Sequence, residues 1–299
     1  MRDMKQSSRE IWSWNKEKEM KYLRHCLRSF RLIAIDTEFP GCLKETPMEA
    51  AEEIRYRDMR FNIHKTKLIQ FGFTLFDGEG RIGGTWEVNF SDFIESKDAK
   101  NSKSMEFLRR NGLNLEKIRE QGIGIDEFFK EFTQILNESK SEKKMTWITF
   151  HGSYDKAYLV KGFTGGQILP ETSQDFAQVV ERLLGDVVDV KEIAGLGLFP
   201  CLSSHYGLQR VADAFQIRRV GKAHHAGSDS ELTARVFIKM APILSQDYKR
   251  KMRLRADQQE LMMMTTCYVP QPLRPRPRPM MFAAFGGFFV VPVQRFNYV

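Results

Sequence analysis

The sequence has few cysteines and no long apolar run. Its four cysteines lie far apart and form no CxxC pair, which excludes a zinc ribbon and fits a reducing compartment. Glycine and proline interrupt the longest apolar candidate, residues 280–293, well short of the roughly 20 apolar residues that a membrane helix requires. The N-terminus is polar and does not have the pattern of a signal peptide. We therefore expect a soluble intracellular protein with no membrane segment.

Charge and proline are unevenly distributed along the chain. The 299 residues are 42% hydrophobic, enough for a sizeable core, and carry a formal net charge of +8. Residues 245–299 contain nine lysines and arginines against three acids, and six of the eleven prolines. This asymmetry predicts a nearly neutral domain over residues 1–245 and a basic, proline-rich extension over 246–299. Its basic run at 249–255 could serve nuclear import or RNA tethering, although such runs are more often a solvated helix surface.

The apolar patterns predict an α/β domain with a mixed sheet. Ser7 and Glu10 have the spacing of a capping box and predict a helix from residue 7 to about 27. Apolar runs predict strands at 31–36, 67–77, 82–90, 147–150 and 186–190, of which the second and third form a hairpin. Helical patterns occur at 102–111, 125–138, 153–161, 172–184, 207–215 and 229–244. Three early strands followed by alternating helices and strands are typical of this fold class.

Two acids interrupt the first apolar strand. Asp36 and Glu38 are two residues apart, so the alternation of side chains along a strand places both on one face. Two buried carboxylates repel each other unless they are protonated or bridged by a cation. Their hard oxygen atoms suit magnesium or manganese. An acid that merely caps the following turn is the more frequent explanation of such a pair.

Two further acids lie where a strand or loop leads into a helix. Asp155 falls in the first turn after the strand at 147–150, at the end of a sheet where α/β proteins usually bind ligands. Asp229 follows the capping residue Ser228, and by itself could simply complement the helix dipole. His224, five residues upstream, could accept a proton near neutral pH. Together with the first pair, these acids could hold two divalent ions.

The motifs resemble those of a known family. IAIDTEFPG, KLIQFGFTLFD, GTWEVNF, FHGSYD, DVVDVKEI and AHHAGSDSELT are similar to the Caf-one (Pop-two) family over residues 8–243. That family is the poly(A) ribonuclease subunit of the Ccr-four–Not deadenylase complex, and belongs to the DEDD exonucleases with a catalytic histidine. The resemblance implies an RNase H-like exonuclease fold, with a mixed central sheet flanked by helices.

The resemblance also assigns residue roles. It implies two divalent cations, Mg²⁺ or Mn²⁺, with catalytic metal ligands at Asp36, Glu38, Asp155 and Asp229. His224 becomes the catalytic general base, because the family histidine lies five residues before the last aspartate. The chemistry of the residues alone does not choose between His224 and His225. His225 is then a bystander or a contact to substrate, and the aromatic ring of Tyr154, apart from the resemblance, could bind substrate by stacking on a base.

The implied function is a 3′-to-5′ exoribonuclease that shortens mRNA poly(A) tails and releases 5′-AMP. The implied partners are the poly(A) tail and the Ccr-four–Not scaffold and second nuclease, and the expected location is the nucleus and cytoplasm. Two alternatives stay open: an exonuclease of this fold acting on other single-stranded nucleic acid, and a catalytically weak adaptor subunit. HGSYD in place of the family's HSGYD, and Lys156 where an aromatic is common, keep the substrate and rate open.

Overall fold

The computed structural model describes residues 8–47, 49–139 and 145–265, with the backbone alone for residues 248–265. Within these residues the strands are β1 (Arg9–Ile11), β2 (Leu32–Glu38), β3 (Gln70–Phe76), β4 (Ile82–Asn89), β5 (Thr146–Thr149) and β6 (Asp186–Asp189). They form one sheet in the order β1-β4-β3-β2-β5-β6. The pairs β2–β3 and β3–β4 are antiparallel, and the other three are parallel. The predicted mixed sheet is confirmed.

Helices cover both faces of this sheet. In chain order they are α1 (Lys16–Cys26), α2 (Glu52–Lys65), α3 (Ser102–Arg110), α4 (Leu115–Gln121), α5 (Ile125–Glu138), α6 (Ser153–Phe163), α7 (Ser173–Leu184), α8 (Val190–Ala194), α9 (Leu208–Ala214) and α10 (Ala226–Thr265). None of the helices in the described part of the chain is both long and apolar enough to cross a bilayer.

The alternation of side chains along β2 divides the core into two layers. Ile33 and Ile35 belong to the apolar cluster that includes Phe71 and Phe132, which lie on β3 and α5. Leu32 and Ala34 face the opposite way, into the cluster that α10 supplies with Leu232, Val236 and Met240. A strand that is buried on both faces reads as a continuous apolar run, which is why the sequence identified it.

The prediction for the N-terminal helix is wrong at its start. The helix α1 begins at Lys16, while Arg9–Ile11 forms an edge strand parallel to β4, with Ile11 opposite Val88. Glu10, expected to close a capping box, instead accepts a hydrogen bond of 2.8 Å from the Trp12 indole. Ser7 lies outside the described residues.

Three helices, α2, α4 and the five-residue α8, were not predicted, and the last helix is longer than expected. α2 carries the polar residues Asp58 and Asn62 on its buried face, which hides the apolar periodicity. α4 is only seven residues long. α10 begins at Ala226 and continues to Thr265, so residue 245 lies within a helix. The division of the chain at 245 stays a prediction, and residues 266–299 of the predicted extension lie outside the described residues.

Candidate active site

The last residues of β2 carry the first two acids. β2 runs parallel to β5, which in turn runs parallel to β6, so the carboxyl ends of all three strands lie at one edge of the sheet. Asp36 pairs with Gly72 of β3, and Glu38 pairs with Gln70. Both acids point to the α10 side of the sheet, since they continue the alternation of Leu32 and Ala34.

A glycine opposite Asp36 allows the start of α10 to approach the sheet. A Cβ atom on Gly72 would lie 1.8 Å from the carbonyl oxygen of Ala226, a distance that no side chain could tolerate. The first turn of α10 therefore packs directly against the backbone of β3. Because Asp229 is in that turn, this contact brings it to the end of β2.

Asp229 and His224 meet Glu38 at this edge. Glu38, His224 and Asp229 each offer a potential ligand atom, and these atoms all lie within 4.8 Å of one another. His224 has a φ of 60°, and its backbone N–H donates to Asp229 Oδ2 over 3.0 Å. This left-handed turn directs the residue towards the acids. The other Asp229 oxygen accepts a hydrogen bond from Arg219 Nη1.

Asp155 reaches the site from the first turn of α6. Its Oδ1 accepts a hydrogen bond of 2.5 Å from Thr37 Oγ1, which lies between the two acids of β2. Asp189, at the end of β6, holds the preceding turn by accepting hydrogen bonds from Thr149 Oγ1 and from the backbone N–H groups of His151 and Gly152. Asp189 thus orients the turn from which Asp155 extends.

The four carboxylates repel one another. Burial, followed by the charges of Asp155, Asp229 and Glu38, raises the pKa of Asp36 well above its usual value. Burial, with the charges of Asp229 and Asp155 next in size, does the same to the pKa of Glu38. Burial raises the pKa of Asp155 to about 7, although the Thr37 hydrogen bond acts against this shift. All four acids are therefore electrostatically connected, and the group would carry an excess of negative charge if every member were ionised.

This excess can be relieved by bound cations. Carboxylate oxygens, together with one imidazole nitrogen, suit a hard divalent ion such as Mg²⁺ or Mn²⁺. The close triplet contains Glu38, Asp229 and His224, whereas Asp36 and Asp155 interact with it through charge. The residues present therefore fit a divalent-cation site.

The two predicted substrate contacts both have partners within the protein. The His225 ring lies between Glu87 Oε1, at 3.5 Å, and the backbone oxygen of Asn111, at 3.2 Å. The Tyr154 ring stacks on Phe39 with centroids 5.1 Å apart, and its hydroxyl accepts a hydrogen bond from Asn62. Their role as substrate contacts stays a prediction.

Comparison with known proteins decides the family. The protein-family model described as "CAF1 family ribonuclease" matches residues 11–127 of this chain. The chain is 58% identical to "Probable CCR4-associated factor 1 homolog 5" of Arabidopsis thaliana over 90% of this chain and 98% of that protein. The chain belongs to the CAF1 family of ribonucleases. The Caf-one (Pop-two) resemblance predicted from the motifs is confirmed.

Other members of the CAF1 family agree in sequence and in structure. "Poly(A) ribonuclease pop2" of Schizosaccharomyces pombe is 34% identical over 78% of this chain and 68% of that protein. The structure of S. pombe Pop2p in its Mg²⁺- and Mn²⁺-bound form matches with a TM-score of 0.70 and 33% identity, covering 78% of this chain and 92% of the other. Yeast CAF1, co-crystallised with the NOT1 MIF4G domain, matches with a TM-score of 0.64 and 25% identity, covering 80% and 89%. The predicted RNase H-like fold is confirmed.

Two residues beside this CAF1 site were missed by the sequence reasoning. Arg219 precedes α10 in a polar segment, and nothing in its neighbourhood marks it as the partner of Asp229. Phe107 lies on α3, and its ring meets the His224 ring edge-on with centroids 4.5 Å apart. A signal for Phe107 was available, because it is an aromatic residue on the polar side of an amphipathic helix whose buried residues are Met105 and Leu108.

Proposed function

We propose that this chain is a deadenylase, a 3′-to-5′ exoribonuclease that removes adenylate from mRNA poly(A) tails and releases 5′-AMP. The observation that carries the proposal is the meeting of Glu38, His224 and Asp229 within 4.8 Å at the carboxyl end of β2. Membership of the CAF1 ribonuclease family and similarity to a poly(A) ribonuclease support the substrate.

The chemistry needs two divalent cations, Mg²⁺ or Mn²⁺. Asp36, Glu38 and Asp229 would hold one of them, and Asp36 with Asp155 the other. When bound, such ions activate the attacking water and stabilise the negative charge that develops during phosphodiester hydrolysis. Their charge also reverses the sign of a site that would otherwise repel an RNA phosphate.

The chain's own residues position the reacting groups. His224 is the general base, because an imidazole is suited to accepting a proton from water near neutral pH. Its backbone N–H bond to Asp229 fixes its place beside the acids. Thr37 orients Asp155 through a buried hydrogen bond, and Arg219 orients Asp229.

The test compares substrates of equal length. The protein is incubated with 5′-labelled oligo(A), oligo(U), oligo(C) and single-stranded oligo(dA), with Mg²⁺ or Mn²⁺ and with a chelator. We expect stepwise shortening of oligo(A) from its 3′ end, faster than that of the other substrates, and none with the chelator. Asp36→Asn should abolish shortening, whereas the control Asp186→Asn, an exposed acid on β6, should not. A better substrate than oligo(A) would contradict the poly(A) assignment, and no cleavage would favour the adaptor.

We also propose that the chain assembles with the scaffold and second nuclease of a Ccr-four–Not complex. Yeast CAF1, which has this fold, was crystallised with the NOT1 MIF4G domain. Co-purification with a MIF4G domain of this type tests the scaffold contact. Within such a complex the protein would act in the nucleus and cytoplasm, which fluorescence microscopy of the tagged chain tests.

A further inference from the structure

An aromatic ring stands exposed at the border of the acidic site. Phe107 is 46% exposed, although its neighbours on α3, Met105 and Leu108, are buried in the core. A single exposed apolar side chain is ordinary on a protein surface. Phe107 differs because its ring contacts His224, with centroids 4.5 Å apart and an interplanar angle of 68°.

This edge-on contact leaves part of the ring free beside the reacting groups. The ring of His224 offers a nitrogen that lies within 4.8 Å of potential ligand atoms of Glu38 and Asp229. Phe107 and the two acids therefore all lie beside the ring of His224. A nucleotide whose phosphate occupies the acidic site would place its sugar and base within reach of Phe107.

The helix that carries Phe107, α3, is hydrogen-bonded to the segment that follows β2, the strand that carries Asp36 and Glu38. Asn101 caps α3 by accepting a hydrogen bond from the backbone N–H of Ser104. The backbone N–H of Asn101 donates to the oxygen of Pro40 over 2.8 Å, and its side chain donates to the oxygen of Cys42. Between them, Gly41 lets α3 approach closely, since a Cβ there would lie 2.4 Å from Ser104 Cβ. Residues 40–42 lie only two to four positions after Glu38. These contacts therefore hold α3, and with it the Phe107 ring, next to the site.

A basic side chain lies on the same border. Lys222 is exposed, and its ammonium group lies close to Gly112, just beyond the end of α3. A Cβ atom added to Gly112 would lie 3.0 Å from Lys222 Nζ. Its charge also acts on His225, which follows His224 in the chain. An aromatic ring next to a cation is the combination with which proteins hold single-stranded nucleic acid, the ring against a base and the cation against a phosphate.

We propose that Phe107 is a substrate-binding residue that stacks against a base near the 3′ end of the RNA. The inference rests on the proposed function, and it adds a residue to the site that the family motifs do not contain. Stacking needs only a flat ring on each partner, so Phe107 should increase affinity for every base, and the preference for adenine has to come from other contacts.

Fluorescence provides a direct measure of stacking. In the cleavage-deficient Asp155→Asn background with Mg²⁺, an oligo(A) with 2-aminopurine in its 3′-terminal nucleotide should be quenched on binding. Phe107→Ala should reduce the quenching and weaken affinity about tenfold, while Phe107→Trp should retain both. The control Leu183→Ala removes a side chain of similar exposure, 40%, from α7 and should change neither. Lys222→Ala should instead lower the salt dependence of binding.

Steady-state kinetics on oligo(A) in the otherwise wild-type chain separate this inference from the proposed function. Phe107→Ala should raise KM by about tenfold for oligo(A) and by a similar factor for oligo(U). A fall in kcat with unchanged KM and unchanged quenching would mean that the ring only positions His224, and would overturn the proposal. If the wild-type chain shortens oligo(A) and Phe107→Ala matches it, the inference fails while the proposed function stands. A wild-type chain that cleaves no RNA would refute the proposed function itself.

Discussion

Arg219 and Asp229 form an ion pair in which the two side chains are only 13% and 11% exposed. Arg219 also donates from Nη1 to Ser228 Oγ and from Nε to Gln209 Oε1, at 3.1 and 2.8 Å. Its positive charge lowers the pKa of Asp36, against the larger effects of burial and of the other acids. The guanidinium thus supplies positive charge at one end of the acidic group.

Arg219→Ala should destabilise the metal-free protein. The substitution leaves Asp229 buried beside other acids without its partner, and breaking a buried pair in this way costs about 3–5 kcal/mol. Thermal and urea unfolding in a chelator should show this loss, and Mn²⁺ should restore part of it. Arg81→Ala removes a solvent-exposed guanidinium from its ion pair with Asp77 and should cost far less. Equal losses for the two variants would contradict a special role of Arg219.

The metal-free protein should lose stability as the pH rises. Burial raises the pKa of Asp155 to about 7, whereas the same carboxyl in the unfolded chain has a pKa of about 3.9. The folded state therefore retains a proton that the unfolded state releases, so the stabilisation present below pH 4 is lost as the pH approaches 7. Asp36 and Glu38 shift in the same direction.

Unfolding free energies measured with a chelator from pH 5 to pH 8 test this dependence. Asp155→Asn carries no titrating group at this position and should make the decline less steep, while saturating Mn²⁺ should flatten the curve of the wild-type chain. A metal-free stability that rises between pH 5 and pH 7, by the same amount in both chains, would show that Asp155 does not titrate as described.

Asp189→Ala should impair both stability and turnover. Asp189 accepts hydrogen bonds from the turn at 149–152 and caps α8 through the backbone N–H of Lys191. Losing it would leave several buried donors unpaired, at a cost of about 3 kcal/mol, and would release the turn that places Asp155. Asp186→Ala, an exposed acid at the other end of β6, is the matched control and should be near neutral. Wild-type turnover in a folded Asp189→Ala chain would refute its positioning role.

His224 and His225 should differ sharply in their effect on catalysis. His224→Ala should reduce kcat by about 10²–10⁴, the usual contribution of a general base. His225→Gln should retain most turnover, because an amide can still reach the neighbours that hold His225, Glu87 and the Asn111 backbone. Single-turnover rates on oligo(A) give the comparison. Similar losses in both variants would mean that the general base is wrongly assigned.

The sequence predicted the features that depend on short-range patterns. β2 was recognisable because it is apolar on both faces, and its two acids were recognisable because they interrupt that run. Asp229 was found because the spacing of Ser228 and Glu231 indicates a helix start. Ser228 is not the cap, however, since α10 begins at Ala226 and the Ser228 hydroxyl donates to the Val220 oxygen. α2 was missed because its inner face carries Asp58 and Asn62, which are buried and accept hydrogen bonds from Thr46 and Leu43 of the preceding loop, so that no apolar stripe marks that face.

Features that depend on tertiary contact could not be predicted in this way. Arg9–Ile11 is a strand because β4, some 75 residues later, offers a free edge, and the local capping pattern pointed to a helix instead. Phe107 meets His224 across more than 100 residues of chain. The extended α10 crosses the composition boundary at residue 245, because a change of charge does not by itself end a helix.

Titration with Mn²⁺, followed by electron paramagnetic resonance of the free ion, tests the acidic site most directly. The wild-type chain should bind two ions. Asp155→Asn should lose one of them, Asp36→Asn should weaken both, and the exposed control Asp186→Asn should bind like the wild type. A chain that binds no Mn²⁺, or binds it equally well after Asp36→Asn and Asp155→Asn, would contradict the claim that these carboxylates form a two-cation site.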